Sequence, residues 1–323
     1  MKKHKVVVIT EGHEEIAQEG IEMLEKENFE LVVPENHEKI MEEKELKECD
    51  AILVRGAKID RELIESIPEL KIIARCGVGT DNIDIDAATD NGVVVSNVPD
   101  ANFVSVAEHV IGLLLALSRQ IVKADKALRK GHFDARHKYM GSEVNGKTIG
   151  IIGMGRIGQI VAKKCMDGLD MTVLAFDPYA DKSVIDKRIE FVDSVDDIFS
   201  NSDFVSLHLP YIAELHHFIN RESFQKMKES AYFINCARGK LVDEAALAEA
   251  IQNGEIAGAG IDVFEDEPPR TDNILWSLDN IIVTPHMGAS TNESLTLMAV
   301  GAAKEIIRVL HGEKPKNSLN KIS

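Results

Sequence analysis

The sequence predicts an α/β protein made of two doubly wound parallel sheets of the Rossmann or flavodoxin type, with a cleft between them. Short β-branched runs alternate with amphipathic stretches along the whole chain, which is the pattern of parallel strands joined by crossover helices. The length of 323 residues exceeds the usual size of one domain, so two are expected. With 44% hydrophobic and 28% charged residues, the composition is that of a globular protein rather than a disordered chain or a disulfide scaffold.

The first half of the chain contains five predicted strands and three predicted helices. The strands are Val6–Thr10, Glu30–Val33, Ala51–Gly56, Lys71–Arg75 and Val93–Val98, and the helices lie near residues 14–28, 38–48 and 60–66. Pro99 ends the fifth strand, because a proline has no N–H for the ladder and restricts the residue before it. We therefore expect the first hinge of the chain there.

The second half repeats the alternation with six predicted strands and four predicted helices. The strands are Thr148–Gly153, Thr172–Asp177, Phe204–Leu209, Tyr232–Cys236, Gly258–Val263 and Ile281–Thr284, and the helices lie near residues 156–167, 194–200, 221–227 and 243–253. A long helical segment, residues 102–130, joins the halves. The closing helix, residues 291–310, has no strand of its own to cover, so we expect it to pack back on the first domain. The predicted domains are residues 1–99 with 290–323, and residues 100–289.

Charge and composition exclude several classes of function. The formal net charge of −17 argues against a nucleic-acid partner, because phosphate binding requires a basic patch. No membrane span is expected, since the longest apolar stretch, Val104–Leu117, contains Glu108 and His109 and falls short of the roughly 20 residues that a span needs. The four cysteines form no CxxC pair and the histidines no spaced ligand set, so we expect no metal, reduced thiols and a cytoplasmic location.

One glycine-rich turn carries a strong local signal. Gly153, Gly155 and Gly158 form a G-x-G-x-x-G spacing between a predicted strand and a predicted helix. In dinucleotide-binding domains the first glycine permits the tight turn, the second lets the backbone approach the pyrophosphate, and the third allows close packing of helix and sheet. The helix start at Arg156 and Ile157 presents free N–H groups to the phosphates. The alternative is an ordinary glycine-rich turn.

The next strand decides between these two interpretations. It ends at Asp177, about 20 residues after the turn, where dinucleotide-binding domains place an acid. A carboxylate at that position accepts hydrogen bonds from the ribose hydroxyls and repels a 2′-phosphate. The sequence therefore predicts a dinucleotide site that takes NAD rather than NADP.

Three polar residues follow later strands of the same predicted sheet. They are Arg238, Glu267 and His286, and ligands of open parallel sheets bind outside the carboxyl ends of the strands. Hydride transfer from a 2-hydroxy acid to NAD requires a base for the hydroxyl proton, and the imidazole of His286 suits that task. A carboxylate at Glu267 favours the protonated ring and orients it, while Arg238 supplies a forked donor for the substrate carboxylate and carbonyl oxygen. Taken singly, these residues also have structural interpretations: a histidine after a proline can cap a strand, and an arginine before a glycine can anchor a loop.

Seven stretches resemble the D-2-hydroxyacid dehydrogenase family, and most of all its 3-phosphoglycerate dehydrogenase branch, over nearly the whole chain. They are Gly77–Asp84, Asn97–Pro99, Gly153–Gly158, Leu207–Pro210, Asn235–Gly239 with Val242 and Asp243, Asp262–Pro269, and Pro285–Gly288. By this resemblance the domain of residues 100–289 binds NAD, the other domain closes over the cleft as a lid, and the three polar residues match catalytic positions. The region of residues 102–140 is implied to build a homodimer, or a dimer of dimers.

The resemblance also implies individual binding residues. Asp262 matches the acid that contacts the nicotinamide carboxamide, and Val78 and Gly79 match backbone N–H groups that bind the substrate carboxylate. The remaining implied positions are Asn102 for substrate and His208, Pro210, Cys236 and Gly288 for the cofactor.

Three arginines favour a phosphorylated substrate. Arg55 and Arg75 follow strands of the first domain, and Arg136 resembles an arginine that reaches across from a partner subunit in the phosphoglycerate branch. The hypothesis is therefore oxidation of 3-phosphoglycerate to 3-phosphohydroxypyruvate, as in serine biosynthesis. The alternative for the arginines is a set of surface salt bridges, and the alternative functions are a hydroxypyruvate or glyoxylate reductase and an NADH-sensing interaction protein.

Two features depart from other members of the family. Residues Ile212–Leu215 replace the threonines that many members carry after the His-x-Pro strand end, so we expect different loop capping or cofactor contacts there. The sequence ends at Ser323, soon after the closing helix, so we expect no appended regulatory domain and no serine feedback through one.

Overall fold

The computed structural model describes residues 3–10, 16–33 and 44–322. The chain divides into two compact units, one formed by Met1–Asn102 with Ser290–Ser323 and the other by Phe103–Ala289. Each unit contains one all-parallel sheet with helices between its strands. The predicted fold class of two parallel α/β sheets is confirmed.

The first unit holds a five-stranded sheet close to the predicted runs. Its elements are β1 (Lys5–Ile9), α1 (Gln18–Lys26), β2 (Glu30–Val32), α2 (Lys44–Lys47), β3 (Ala51–Val54), α3 (Arg61–Glu65), β4 (Ile72–Arg75), α4 (Ile85–Asp90) and β5 (Val94–Ser96). The strand order is β2-β1-β3-β4-β5, so the chain starts in the middle of the sheet and winds outward in both directions. Residues 14–15 and 38–43 of two predicted helices lie outside the described residues.

The sequence did not predict α4. This helix has six residues and buries only Ala87 and Ala88, so it leaves too little apolar periodicity to be recognised. Its signal is the cap: the side chain of Asp84 accepts a hydrogen bond from the backbone N–H of Ala87 at 2.8 Å.

The closing helix, α11 (Asn292–Leu310), packs on α1, β3 and β4 of the first unit. Its approach to α1 is close, because a Cβ placed on Gly20 would lie 2.7 Å from the Cβ of Ala299. Only a glycine tolerates that distance, so this contact fixes where the two helices cross.

The second unit holds a seven-stranded sheet. Its strands are β6 (Thr148–Ile152), β7 (Thr172–Phe176), β8 (Glu190–Phe191), β9 (Phe204–Leu207), β10 (Tyr232–Asn235), β11 (Gly258–Ile261) and β12 (Ile281–Val283), and its helices are α5 (Phe103–Ser118), α6 (Ile121–Arg129), α7 (Arg156–Leu169), α8 (Val195–Asn201), α9 (Arg221–Lys226) and α10 (Glu244–Gln252). The order is β12-β11-β10-β9-β6-β7-β8, with one core cluster against α5 and α7 and another against α8, α9 and α10. The sequence missed β8, which has two residues.

The structure corrects the prediction of one long helical segment over residues 102–130. The helix breaks at Gln120, whose φ is +55°, and α5 and α6 are bent by 63° relative to each other. The apolar pattern ends at Leu117, and no residue of α6 is buried, so no core packing holds α6 in line with α5. In the described part of the chain no single helix has the length and apolar character to cross a membrane, although α5 and α6 together meet both criteria.

Candidate active site

The glycine-rich turn joins β6 to α7, and its three glycines have three different surroundings. Gly153 has a φ of +96°, and a Cβ there would lie 2.7 Å from the carbonyl oxygen of His208. A Cβ on Gly158 would lie 2.2 Å from the carbonyl oxygen of Gly153. A Cβ on Gly155, the N-cap of α7, would have no other atom within 4 Å. Two glycines are thus required by protein contacts, while the third leaves room for a ligand beside the helix N-terminus.

Asp177 follows β7 and is hydrogen-bonded to the turn. One carboxylate oxygen accepts from the backbone N–H of Met154 at 2.8 Å, and the other accepts from that of Tyr179 at 2.9 Å. The acid and the glycine-rich turn therefore form one hydrogen-bonded unit. This arrangement fits a dinucleotide, with phosphates at the α7 N-terminus, where Arg156 and Ile157 begin the helix, and a ribose beside the carboxylate.

Asp262 follows β11 and is almost completely buried. Its Oδ1 accepts hydrogen bonds from Thr284 Oγ1 at 2.5 Å and from the N–H of Met287 at 2.9 Å, and its Oδ2 accepts from the N–H of Gly288 at 2.8 Å. Burial raises the pKa of Asp262, but these bonds and one from His109 outweigh it and hold the pKa below its usual range. The carboxylate stays charged and fixed.

His109 and Thr284 are two residues of this cluster that the sequence did not identify. His109 Nε2 lies 3.0 Å from Thr284 Oγ1 and 3.3 Å from Asp262 Oδ1. Because the threonine hydroxyl donates to Asp262, the histidine must donate to the threonine, which places a proton on Nε2. His109 lies on α5 within an apolar run, so its pattern indicated only a core helix. The signal that identifies it is its proximity to a buried carboxylate, which sequence spacing does not reveal.

Cys236 and His208 follow β10 and β9. Burial, with the charge of Asp262, raises the pKa of the Cys236 thiol well above its usual value. Burial lowers the pKa of His208 to about 4, and its Nε2 lies 2.9 Å from Ser206 Oγ. Side-chain atoms of His109, Cys236 and Asp262 that could bind a metal ion lie within 4.8 Å of one another. The Asp262 oxygens already accept hydrogen bonds, so the three residues belong to a hydrogen-bond network.

Glu267 and His286 meet at the same edge of the sheet. Glu267 Oε2 lies 2.7 Å from His286 Nδ1, while Glu267 Oε1 accepts a hydrogen bond from the backbone N–H of Phe264 at 3.1 Å. A carboxylate can only accept, so Nδ1 carries the proton and Nε2 is left for another partner. Both side chains are partly exposed, at 37% and 48%. The pair therefore has the geometry of an oriented acid/base group open to a ligand.

The backbone at His286 is strained. Its φ is +48°, in the left-handed region that non-glycine residues seldom adopt. Two hydrogen bonds hold it there, because the N–H of His286 donates to the carbonyl oxygens of Asp262 at 2.8 Å and of Thr284 at 3.0 Å. Strain of this kind costs on the order of 1 to 3 kcal/mol and is concentrated at functional sites.

Arg238 lies in the loop after β10, and a buried asparagine shapes that loop. Asn235 Oδ1 accepts from the N–H of Ala237 at 2.9 Å, and Asn235 Nδ2 donates to the carbonyl oxygen of Arg238 at 3.0 Å. The Arg238 guanidinium donates to the carbonyl oxygen of Ala237 at 2.7 Å. Gly239 must be glycine, because a Cβ there would lie 1.9 Å from the backbone of Phe264. Arg238, Asp262 and His286 thus follow three adjacent strands, β10, β11 and β12.

The predicted substrate residues of the first unit lie at the carboxyl ends of β3 and β4 and in the loops that follow. Arg75 ends β4, and its guanidinium packs against Gly77, whose φ is +146°. Asn97 Nδ2 donates to the carbonyl oxygen of Val78 at 2.7 Å and so anchors the loop. Of the described residues, none accepts a hydrogen bond from the amides of Val78 or Gly79, so both amides can take an anionic ligand.

Arg55, Asn102 and Arg136 complete the predicted substrate set. Arg55 follows β3, and its carbonyl oxygen accepts a hydrogen bond from Asn82 Nδ2 at 3.2 Å. Asn102 is partly buried just before α5. Arg136 is exposed in the short 3₁₀ helix Phe133–His137, with its Cζ 5.0 Å from the centre of the Phe133 ring. The roles given to these residues stay predictions.

The departure at Ile212–Leu215 produces a short turn. Residues Ala213–Leu215 form a 3₁₀ helix, and Ile212 stands at its N-cap with no side-chain hydrogen bond. The turn is closed by the backbone instead, since the N–H of Leu215 donates to the carbonyl oxygen of Ile212 at 3.0 Å. The exposed ring of Pro210 precedes it. The capping of this loop is therefore made by backbone groups, and the consequence for cofactor contacts stays a prediction.

Comparison with known proteins now identifies the family. Residues 111–288 match the family model described as D-isomer specific 2-hydroxyacid dehydrogenase, NAD binding domain. The chain belongs to the D-isomer-specific 2-hydroxyacid dehydrogenase family. The matched residues contain the glycine-rich turn, Asp177, Asp262 and His286, so NAD is the cofactor of the second unit, as the sequence predicted.

Individual relatives carry different printed activities. The chain is 45% identical over 279 residues to the D-3-phosphoglycerate dehydrogenase of Methanocaldococcus jannaschii, a match that covers 86% of this chain and 53% of that one. It is 44% identical over 271 residues to the hydroxypyruvate reductase of Thermotoga maritima, covering 83% and 87%. A crystal structure of a glyoxylate reductase from Paecilomyes thermophila superposes with a TM-score of 0.86 at 30% identity, covering 99% of both chains. The chain spans about half the length of the first curated relatives it matches.

Proposed function

We propose that the protein is an NAD-dependent dehydrogenase that interconverts a D-2-hydroxy acid and its 2-keto acid. The observation that carries the proposal is the Glu267–His286 pair, with 2.7 Å between Oε2 and Nδ1. This pair lies at the carboxyl end of the parallel sheet that also holds the glycine-rich turn and Asp262.

The proposed division of work follows from the hydrogen bonds. NAD, when bound, supplies the hydride acceptor. His286 Nε2 takes the hydroxyl proton in the oxidation and returns it in the reduction, while Glu267 keeps Nδ1 protonated and stabilises the imidazolium. Arg238 binds the substrate carboxylate and polarises the carbonyl oxygen. Asp262 Oδ2 accepts one hydrogen bond from the protein and keeps a lone pair for the carboxamide of the cofactor.

We further propose that the substrate carries a phosphate and that the reaction is the oxidation of 3-phosphoglycerate to 3-phosphohydroxypyruvate in serine biosynthesis. Arg55 and Arg75 supply guanidinium groups at strand ends of the first unit, and arginine is the side chain best suited to bind phosphate. The amides of Val78 and Gly79 are assigned to the substrate carboxylate. The similarity to the archaeal phosphoglycerate dehydrogenase supports this choice.

Reduction of hydroxypyruvate is the second candidate. The hydroxypyruvate reductase of Thermotoga maritima is 44% identical, and the match covers 87% of its length, more than for the phosphoglycerate dehydrogenases. The two candidates differ only in the phosphate, so the arginines of the first unit decide between them.

A ketoacid panel tests the proposal. The purified protein is assayed with NADH and 3-phosphohydroxypyruvate, hydroxypyruvate or glyoxylate, and kcat/KM is measured for each. We expect 3-phosphohydroxypyruvate to be preferred, and the preference to be lost in Arg55→Ala and Arg75→Ala. A preference for hydroxypyruvate or glyoxylate would establish the second candidate. No turnover of any ketoacid, together with tight NADH binding, would favour an NADH-sensing interaction protein.

A homodimer is part of the same proposal. The segment after α5 exposes apolar side chains, namely Ile121, Leu128, Phe133 and Met140. Large exposed apolar patches mark protein contacts, and we assign these side chains to a contact with a second copy of the chain, with Arg136 in the same segment acting on the substrate of the partner. The four cysteines form no disulfide, which agrees with the reducing cytoplasm that we propose as the location.

A further inference from the structure

A cavity of about 610 Å³ lies at the opposite end of the second sheet from the candidate active site. It is lined by the first residues of β10 and β12, Tyr232 and Ile281, and by one face of α6. The candidate catalytic residues follow the other ends of these same strands. The cavity is thus separate from the dinucleotide site, and its volume is that of a pocket for a small molecule.

Lysines dominate the charge of this cavity. Lys123 and Lys126 lie on α6 and Lys130 is its C-cap, at spacings of three and four positions, so the three lysines share one side of the helix. Lys138 lies in the segment beyond the helix. The one carboxylate of the lining is that of Asp279. In the described part of the chain, Lys126, Lys130 and Lys138 form no ion pair, although the protein has 17 more acidic than basic side chains. The chain therefore leaves cations together where acids to pair them are abundant.

The lysines also affect each other. The pKa of Lys123 is lowered from its usual value, first by burial and further by the charge of Lys138, against the opposing effect of Asp279. Like charges at these helix spacings destabilise α6. Cations near a helix C-terminus gain from the helix dipole, but this gain does not extend to Lys138. The lysines repel one another while the cavity is empty, and an anion that enters the cavity offsets this repulsion.

On α6 itself, the apolar residues assigned to the subunit contact lie away from the lysines. Ile121 and Leu128 lie nearly half a turn around the helix from Lys126, since successive residues of a helix are about 100° apart. The apolar face and the lysine face of α6 are therefore opposite.

We propose that this cavity binds a small polyanion whose charge is carried by phosphate or carboxylate groups. The lysine ammonium groups supply the charge, and Tyr139, Tyr232 and Trp276 supply polar and aromatic walls. A large anion such as a nucleic acid is disfavoured by the strongly negative charge of the whole protein.

Trp276 makes the test specific, because it is the single tryptophan of the chain and lines the cavity. Its fluorescence is followed while the NAD⁺-saturated protein is titrated with inorganic pyrophosphate or with citrate, and with sodium chloride at matched ionic strength. The bound NAD⁺ keeps pyrophosphate out of the dinucleotide site. The same titrations are run on Lys126→Ala/Lys138→Ala and on a matched control, Lys187→Ala/Lys314→Ala, which removes two exposed lysines elsewhere.

The expected result is a saturable change with a polyanion, an affinity about tenfold weaker in Lys126→Ala/Lys138→Ala, and an unchanged affinity in the control. A response to pyrophosphate alone assigns the site to phosphates, and a response to citrate alone assigns it to carboxylates. Thermal unfolding of each variant, with and without the polyanion, separates lost binding from lost folding. The proposal is overturned by the absence of a saturable change, by equal affinities in all three proteins, or by an equal response to sodium chloride. It is also overturned if Lys126→Ala/Lys138→Ala changes only the oligomeric state in sedimentation.

Discussion

Asp262 and His286 follow neighbouring strands of one sheet, yet their surroundings are opposite. Asp262 is 1% exposed and accepts hydrogen bonds from a hydroxyl and two backbone amides, which keep it ionised. The His286 side chain is 48% exposed and is held by the single carboxylate of Glu267. One sheet edge thus holds two kinds of group: a buried carboxylate that is fixed by the protein, and an imidazole that a ligand can reach.

The largest expected effect is on turnover and comes from removing the exposed imidazole of His286. His286→Ala should lower kcat by about 10² to 10⁴, because acid/base catalysis is lost, and should leave the dissociation constant of NADH nearly unchanged. Turnover and NADH binding by fluorescence titration are measured on the same preparation. His311→Ala, which changes an exposed histidine at the C-cap of α11 in the first unit, serves as the control.

A change at the buried Asp262 should mainly weaken NADH binding, the property that His286→Ala leaves nearly unchanged. Asp262→Asn replaces one carboxylate oxygen by an NH₂ group, which either faces the N–H of Gly288 or displaces the Thr284 hydroxyl. We expect NADH binding to weaken by about ten- to hundredfold and stability to fall by about 1 to 3 kcal/mol, because a buried donor loses its acceptor. Titration with NADH measures the affinity, and denaturant unfolding measures the free energy of unfolding. Unchanged NADH affinity in a stably folded variant would remove Asp262 from the cofactor site.

Asp177 extends the comparison to a third strand end. It is partly exposed, and its carboxylate is proposed to bind the ribose hydroxyls and to repel a 2′-phosphate. Asp177→Ala should reduce the preference for NADH over NADPH about tenfold, as measured by the ratio of kcat/KM values. If the preference stays the same, another group selects the cofactor.

The smallest expected effect is on the pH dependence of stability and comes from His208, which is buried where His286 is exposed. Burial lowers the pKa of His208 to about 4, whereas an unfolded histidine titrates near 6.5. The unfolded chain therefore binds more protons below about pH 6.5, and stability falls as the pH drops from there to about 4. We expect this group to remove about 1 kcal/mol between pH 7 and 5.5. His208→Asn should lose that part of the pH dependence in denaturant unfolding, and an unchanged slope would contradict the assignment.

Much of the site could be predicted from the sequence, because parallel strands bring their carboxyl ends to one edge. Asp177, Arg238 and His286 are each the first or third residue after a strand, so finding the strands was enough to place them together. The glycine pattern likewise reports a backbone requirement that holds wherever the turn occurs.

The remainder depends on tertiary contacts that carry no local pattern. His109 lies 175 positions from Thr284 along the chain, and nothing in its helix distinguishes it from a core residue. The break at Gln120 arises because no core covers α6, which only the folded structure reveals. Short elements such as α4 and β8 are fixed by their neighbours rather than by their own periodicity.

Ketoacid reduction by Glu267→Gln decides whether the Glu267–His286 pair donates the proton. The substitution removes the carboxylate charge beside Nδ1 and leaves the ring less well oriented. At saturating NADH, kcat should therefore fall by about ten- to hundredfold and its solvent deuterium isotope effect should rise, because proton donation becomes slower, while the dissociation constant of NADH should stay nearly unchanged. A kcat and an isotope effect equal to those of the unaltered protein would contradict this role of the pair.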